Sequence, residues 1–424
     1  MSALARDGLP VGDGRPPRDG LASGCPVCGA DGGEQVHLVP AVPVNSCLLV
    51  DTAQEARSLP TARLELVTCS RCGHLANRAF DERLARYTDR YEDSQAFSPT
   101  FMEYASDLAD QWVSTWDLRG RTVVEIGAGR GDFSRLLVEA GAGRVVAMDP
   151  TIRADRAGDD EGGRIAWLAE QFDDPSDLPD CDAVVFRHVL EHVGDPRRLL
   201  EALSAALRSR PEVPVLVEVP DVRRVLTEGA FWDVYYEHCA YFVPDTLEAL
   251  FTSCGLVVRD ITSVFAGQYL LVAATAAAGG IASDALPPPD RVEALHVLAA
   301  GFREQVAVEV ERWRRELAER QARHQDVVLW GAGSKATAFL TLTSPGRCVS
   351  RVVDVNPYKQ GRFVLGSGLP IVAPEELRDR PCDVVVVMNP VYLREIREQL
   401  AAMGVSAEVL TLGATVADVA GHGS

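Results

Sequence analysis

The sequence predicts an α/β protein in which two Rossmann-like units follow a small cysteine-rich module. Three observations predict it. Two C-x-x-C pairs, Cys25-Pro-Val-Cys28 and Cys69-Ser-Arg-Cys72, stand near the start of the 424-residue chain. Apolar runs alternate with helical patterns over residues 119–278, led by Val123-Val-Glu125-Ile-Gly127-Ala-Gly129-Arg-Gly131. A second alternating unit covers residues 326–417 and opens on Val327-Val-Leu-Trp-Gly331-Ala-Gly333-Ser-Lys335. Strands that alternate with helices build a mostly parallel sheet covered by helices.

Composition narrows the class. Hydrophobic residues make up 47% of the chain, enough for sizeable cores. A net charge of −19 argues against a nucleic-acid binder, whose footprint is basic, but leaves room for a small anionic ligand held by local arginines. No run of 18 apolar residues exists, so no membrane span is expected. Residues 1–24 are rich in Gly, Pro, Arg and Asp, lack the apolar stretch of a signal peptide, and read as a disordered tail of a cytoplasmic protein. With no export signal, the paired cysteines point to metal rather than disulfides. The other six cysteines are scattered.

The cysteine-rich module spans residues 25–80. In each pair a glycine turn aims two thiolates at one ion, and the four thiolates of Cys25, Cys28, Cys69 and Cys72 make a closed tetrahedral zinc site. His74 is then unnecessary as a ligand. The interval between the pairs holds a hairpin-like excursion, Val36 to Val44. A redox role for either pair is the rival reading.

Residues 81–118 lead into the central unit, with helical spacing in Arg83 to Tyr91 and in Thr100 to Trp116. Tyr91 and the polar, aromatic stretch up to Ser98 form the kind of segment that covers a ligand.

The central unit, completing a domain of residues 81–278, carries strand patterns at Thr122–Ile126, Arg144–Met148, Ile165–Leu168, Ala183–Phe186, Val215–Val219, Leu256–Ile261 and Tyr269–Ala274. They predict a doubly wound sheet with an antiparallel edge and ligands at the carboxyl ends of the strands. Gly127, Gly129 and Gly131 let the backbone turn sharply and approach a ligand. Asp149, at the end of the next strand, can accept both hydroxyls of a ribose. A dinucleotide site prefers G-x-G-x-x-G. Here the spacing is G-x-G-x-G behind Glu125, and E-x-G-x-G-x-G resembles the first motif of class I S-adenosylmethionine (SAM) methyltransferases. Gln171 and His188 are assigned to the same cofactor.

Residues 279–325 form a Pro/Ala/Gly linker and a long charged helix, whose apolar stripe is expected to be Val297, Phe302, Val306, Val310 and Trp313. The last unit repeats the strand and glycine loop, followed by Val352-Val-Asp354, but lacks the third glycine. Its loop can hold a phosphate through backbone N–H groups and Lys335, or be purely structural.

Two further stretches carry chemistry: Phe186-Arg-His188-Val-Leu-Glu191-His192, and Trp232-Asp-Val-Tyr235-Tyr236-Glu237-His238-Cys-Ala-Tyr241-Phe242. Taken with the cysteine pairs, the glycine loop and the C-terminal W-G-A-G, they give the chain a resemblance to the three-domain sugar C-methyltransferases, which act on nucleotide-linked deoxysugars in antibiotic pathways. The resemblance covers about residues 25–415. It implies zinc in the first module, SAM in the central domain and an acceptor cleft shared by all three. It makes His238 the base, with Glu237 and Tyr235 beside it. His192 joins this catalytic set, and Tyr91, Tyr241, Lys335 and Asn356 are expected at the acceptor. The segment after Tyr91, Glu-Asp-Ser-Gln-Ala-Phe-Ser, departs from the Tyr/His-rich stretch of the sugar enzymes and points to a sibling branch with another substrate.

The chemistry follows independently. A carbon beside a ketone becomes nucleophilic when a base removes its proton, and an imidazole suits that role near neutral pH. Glu237 or Glu191 can orient His238, and Tyr235, Tyr241 or His192 can hydrogen-bond the enolate oxygen. The competing readings are an O- or N-methyltransferase of another small metabolite, a NAD-dependent oxidoreductase using Asp354, and a non-catalytic scaffold.

Overall fold

The computed structural model describes residues 24–85, 90–152, 162–278 and 285–413. The expected tail, apart from Gly24, and linker residues 279–284 lie outside them.

The N-terminal module is built on β1 (Glu34–Pro43), α1 (Ala53–Ser58), β2 (Thr61–Thr68) and β3 (Leu75–Asn77). β1 and β2 pair antiparallel, so the excursion at Val36 to Val44 falls on β1 and the residue after it. Thr52 caps α1 by accepting from Glu55 N.

Helix α2 (Pro99–Thr115) starts where Ser98 accepts from Phe101 N and proline takes the first turn. It buries Phe101, Ala105, Leu108, Ala109, Trp112 and Val113, one stripe at helical spacing. The helix expected from Arg83 to Tyr91 is absent from the described residues. Residues 82–84 are in turns and Tyr91 forms an antiparallel bridge with Leu48, while residues 86–89 are not described. Pairing with the N-terminal module overrides the helical spacing there.

The central domain contains β4 (Thr122–Ile126), α3 (Asp132–Glu139), β5 (Arg144–Met148), β6 (Ile165–Leu168), β7 (Ala183–Arg187), α4 (Pro196–Ala206), β8 (Val215–Pro220), α5 (Val222–Glu228), β9 (Ala240–Tyr241), α6 (Pro244–Ser253), β10 (Leu256–Val264) and β11 (Tyr269–Ala276). The seven strands other than β9 form one sheet in the order β10-β11-β8-β7-β4-β5-β6. The expected antiparallel edge is the pair β10 and β11, with β11 antiparallel to both β8 and β10 and β10 outermost. The polar pattern of β10 suits the exposed margin. Strand order reverses beside β4, which opens a crevice at its carboxyl end.

The short strand β9 leaves this sheet. It pairs with β3 and completes a second sheet, β1-β2-β3-β9. The chain around His238 is thereby hung on the N-terminal module.

Helix α7 (Pro289–Ala322) runs about 50 Å. Its buried stripe includes Leu295, Ala299, Phe302, Val306, Val310, Trp313 and Leu317, at steps of three or four residues. Val297, expected in that stripe, is 67% exposed because it falls two residues out of step. The C-terminal domain follows with β12 (Val327–Trp330), α8 (Ser334–Thr343), β13 (Val349–Val353), β14 (Ile371–Val372), α9 (Glu376–Asp379), β15 (Val384–Val387), α10 (Leu393–Met403) and β16 (Glu408–Thr411). Its sheet is wholly parallel, in the order β14-β13-β12-β15-β16. Among the described residues no helix is long and apolar enough to cross a membrane.

Candidate active site

A cleft of about 440 Å³ lies where the three domains meet. Its walls come from the ends of β4, β7 and β8, the loops after β12, β13 and β15, Cys47 of the N-terminal module and the strap from Tyr91 to Ser98.

The first glycine loop bounds one side. Gly127, Gly129 and Gly131 have φ of 71°, 52° and 73°, the left-handed region that favours glycine. A Cβ on Gly127 would overlap Val189, and one on Gly131 would overlap Trp167, whereas Gly129 faces open space. Gly129 N–H donates to Asp149 Oδ2 at 2.9 Å, and Asp149 Oδ1 accepts from Thr151 N and Oγ1 at 2.7 and 2.6 Å. Asp149 is thus fixed at the strand end beside the loop. Glu125 is buried, accepts from Ser134 Oγ, and burial pushes its carboxyl up to about 7. Gln171, expected at the cofactor, is exposed, bonds Asp173 at 3.2 Å and is not part of the cleft wall.

A buried ionic cluster forms the floor. His188 has φ of 53°, its Nε2 lies 2.6 Å from Glu218 Oε1, and its Nδ1 lies 3.3 Å from Glu191 Oε1. Burial opposes its charge, but the two carboxylates push its pKa up to about 9. Glu218 also meets Arg187 at 2.9 Å and Tyr104 Oη at 2.5 Å. Burial works against that charge too, yet Arg187 and His188 hold the Glu218 carboxyl down at about 2. The sequence reading missed Arg187, Glu218 and Tyr104. The available signal was a lone glutamate inside Val215-Leu-Val-Glu218-Val.

The opposite wall carries the aromatic and imidazole groups. His238 is 5% exposed, and its ring centroid lies 4.2 Å from Tyr235, 4.7 Å from His192 and 5.8 Å from Tyr241. Burial, reinforced by His192 and His188, holds its pKa well below the ordinary imidazole value, so it rests neutral. Cys239 N–H donates to Glu191 O at 2.9 Å and Asn77 N–H donates to Cys239 O at 3.0 Å, which pins the segment between two domains. His192 Nδ1 meets Glu237 O at 3.2 Å. Tyr235 lines the cleft, and Tyr241 Oη donates to its carbonyl at 3.1 Å. Tyr236 points away, bonded to Asp81 N and Ala79 O.

Glu237 does not reach His238. The two residues lie in a turn closed by His238 N–H donating to Tyr235 O at 3.3 Å, and the side chains leave it in different directions. The Glu237 carboxylate accepts from Asn45 Nδ2 at 3.1 Å, from Ser46 N at 2.9 Å and from Ser46 Oγ, which also bonds Ser334 Oγ at 2.7 Å. It ties the N-terminal module to the central and C-terminal domains. The carboxylate beside the imidazoles is Glu191, which with His192 and His238 presents three ligating atoms within 4.8 Å of one another.

Tyr91, Tyr241, Lys335 and Asn356 all line the cleft. Lys335 pairs with Asp233, which Arg224 also holds at 2.5 Å. Asn356 Nδ2 donates to Glu92 Oε1 at 2.9 Å, and Glu92 Oε2 meets Arg130 of the glycine loop at 2.7 Å.

The second glycine loop repeats the first. Ala332 N and Asn356 N donate to the two oxygens of Asp354 at 2.7 and 2.8 Å, as the first loop does to Asp149. Here, however, buried Lys359 fills the corner. Its Nζ donates to Ala332 O at 3.3 Å and stands 4.0 Å from Asp354 Oδ2. An ammonium where a ribose would sit speaks against a dinucleotide.

The four expected metal ligands converge. Cys25 Sγ lies 3.5 Å from Cys72 Sγ and Cys28 Sγ lies 3.6 Å from Cys69 Sγ. Tetrahedral thiolates around zinc stand about 3.8 Å apart, so the donor set fits. Gly29 and Gly73, with φ of 68° and 75°, make the two turns. His74 is buried against Phe242 and outside the sulfur group.

The family profile described as a methyltransferase domain matches residues 99–261, and the one described as a C-methyltransferase C-terminal domain matches residues 292–408. The C-methyltransferase NovU of Streptomyces niveus is 30% identical over 391 residues, which are 88% of this chain and 90% of that protein. Similar solved structures include the Burkholderia thailandensis 1,6-didemethyltoxoflavin-N1-methyltransferase with S-adenosylhomocysteine bound, at 21% identity, TM-score 0.32, and coverage of 42% of this chain and 78% of that one. Another is the Synechocystis PCC 6803 magnesium protoporphyrin IX methyltransferase with SAM bound, at 16% identity, TM-score 0.31, and coverage of 42% and 80%.

Proposed function

The chain belongs to the SAM-dependent C-methyltransferase family that includes NovU, and from that premise we propose that it methylates a carbon beside the ketone of a nucleotide-linked deoxysugar in natural-product biosynthesis. The observation that carries this reading is His238, buried and neutral in a cleft shared by the glycine loop and the C-terminal domain.

The loop residues Gly127 and Gly129, with Asp149 behind the open space at Gly129, fit a nucleoside methyl donor. SAM, when bound, supplies an electrophilic methyl. The protein's task is to make the nucleophile and aim it. Neutral His238 takes the proton from the carbon beside the ketone, and the electron pair of that bond moves toward the carbonyl oxygen. Tyr235 stays protonated, since burial raises its pKa well above the ordinary phenol value. With His192 it can donate to the oxygen where charge develops. The cleft wall holds acceptor and donor in line, which supplies much of the rate. Lys335, Asn356 and Tyr91 face the acceptor side. A structural zinc in the four-cysteine site keeps the N-terminal module folded and does no chemistry.

Incubation with SAM and a panel of nucleotide-linked keto-sugars should add one methyl by mass spectrometry. His238→Asn should abolish solvent exchange of the proton beside the ketone and lower turnover by about 10²- to 10⁴-fold. Unchanged turnover in that variant would overturn His238 as the base.

A further inference from the structure

Resting on that reading, we infer that Glu191 is the positioning carboxylate of His238: it orients the imidazole and receives the charge that develops when the proton arrives.

His238 must become an imidazolium for an instant in surroundings that disfavour charge. The titratable groups that face it are His192, Tyr235, Tyr241 and Glu191, with His188 one step behind. Glu191 is the one carboxylate among these. Glu218, the other carboxylate bonded to His188, is engaged by Arg187, His188 and Tyr104. Glu237 is committed to Asn45 and Ser46.

Glu191 is 1% exposed on a short 3₁₀ turn, Leu190–His192. Its Oε1 meets His188 Nδ1, while its Oε2 is buried with no hydrogen-bond partner among the described residues. An unpaired buried oxygen of this kind is costly, and such groups persist where function needs them. His188 is in turn fixed by Glu218. The chain Glu218–His188–Glu191 therefore holds a rigid carboxylate with one oxygen unspent, in the cluster that also contains the nitrogens of His192 and His238. After the carbon's proton moves to His238, that oxygen accepts an N–H from the imidazolium. The proton then leaves to solvent, and neutral imidazole is restored.

The test uses the full-length protein with its metal. Glu191→Gln keeps the shape and removes the charge. Loss of an anion about 4–6 Å away lowers an imidazole pKa by about one unit or more, so the acid limb of kcat/KM should move to lower pH by that amount. The plateau of kcat should fall about 10- to 100-fold. Glu191→Asp keeps the charge, so its acid limb should stay at the wild-type position even though turnover drops. SAM binding by calorimetry should survive in both. A Glu191→Gln enzyme with wild-type turnover and an unmoved limb overturns the assignment. So does a second divalent metal per chain that disappears in this variant, since Glu191 would then be a ligand. If the wild-type enzyme neither exchanges the proton nor methylates any keto-sugar, the proposed reaction fails. If it does both and Glu191→Gln does so equally well, only the role of Glu191 fails.

Discussion

Glu237 and His238 are adjacent in sequence and face different domains: the carboxylate is clasped by Asn45 and Ser46 of the N-terminal module, and the imidazole looks into the cleft. The pair therefore divides its labour, one residue fixing the wall and the other presenting the base.

Glu237→Ala should act on assembly. It strands the Ser46 N–H and the Asn45 amide in a buried site, at about 1–3 kcal/mol. Thermal unfolding should show a lower Tm. The acid limb of the pH profile should not move in Glu237→Gln, in contrast to Glu191→Gln.

The three loop glycines should separate. Gly127→Ala and Gly131→Ala meet Val189 and Trp167 and carry positive φ, so both should lower Tm markedly. Gly129→Ala meets nothing within the protein, and its backbone strain of about 1 kcal/mol should leave the fold standing while a methyl intrudes on the donor space. Calorimetry should show SAM affinity falling most in Gly129→Ala relative to its loss of Tm.

His188 should make stability depend on pH. Its folded pKa of about 9 exceeds the ordinary 6.5, so its contribution is complete below about pH 6.5 and is lost as pH rises through 9. Glu218, held at about 2, adds a contribution complete above about pH 4.5 and lost as pH falls through 2. Asparagine tolerates the positive φ of position 188. The stability gap between wild type and His188→Asn, measured by urea unfolding, should therefore be widest near pH 5–6 and shrink toward pH 10.

Metal analysis should find about one zinc per chain. Cys25→Ser should lose it and destabilise the N-terminal module. Retention of both metal and Tm in that variant would rule out the four-cysteine site.

Much of this architecture was legible in the sequence, because buried parallel strands are short apolar runs and the glycine loops carry their own spacing. The sheet strands of the central unit fall where those runs stand, as do β12 and β13 of the C-terminal one. What sequence periodicity misses is long-range pairing. Nothing local in Ala240-Tyr241 says that it joins the sheet of Leu75–Asn77, and Tyr91 is drawn out of a helical pattern by Leu48. The same limit applies at the site. Adjacency suggested that Glu237 serves His238, but the turn from Tyr235 to His238 sends its carboxylate to Ser46. Glu218 and Arg187 come from different strands and meet only in the folded sheet. Gln171 sits beyond the end of β6, where its amide bonds Asp173 at 3.2 Å.

Lys359 gives the second crevice a tenant of its own. A ribose reaching for Asp354 would have to compete with a buried ammonium that already stands beside that aspartate and bonds the loop carbonyl. The two glycine loops that line the one cleft thus differ in chemistry at their strand-end aspartates, since the second carries a cation of its own beside it.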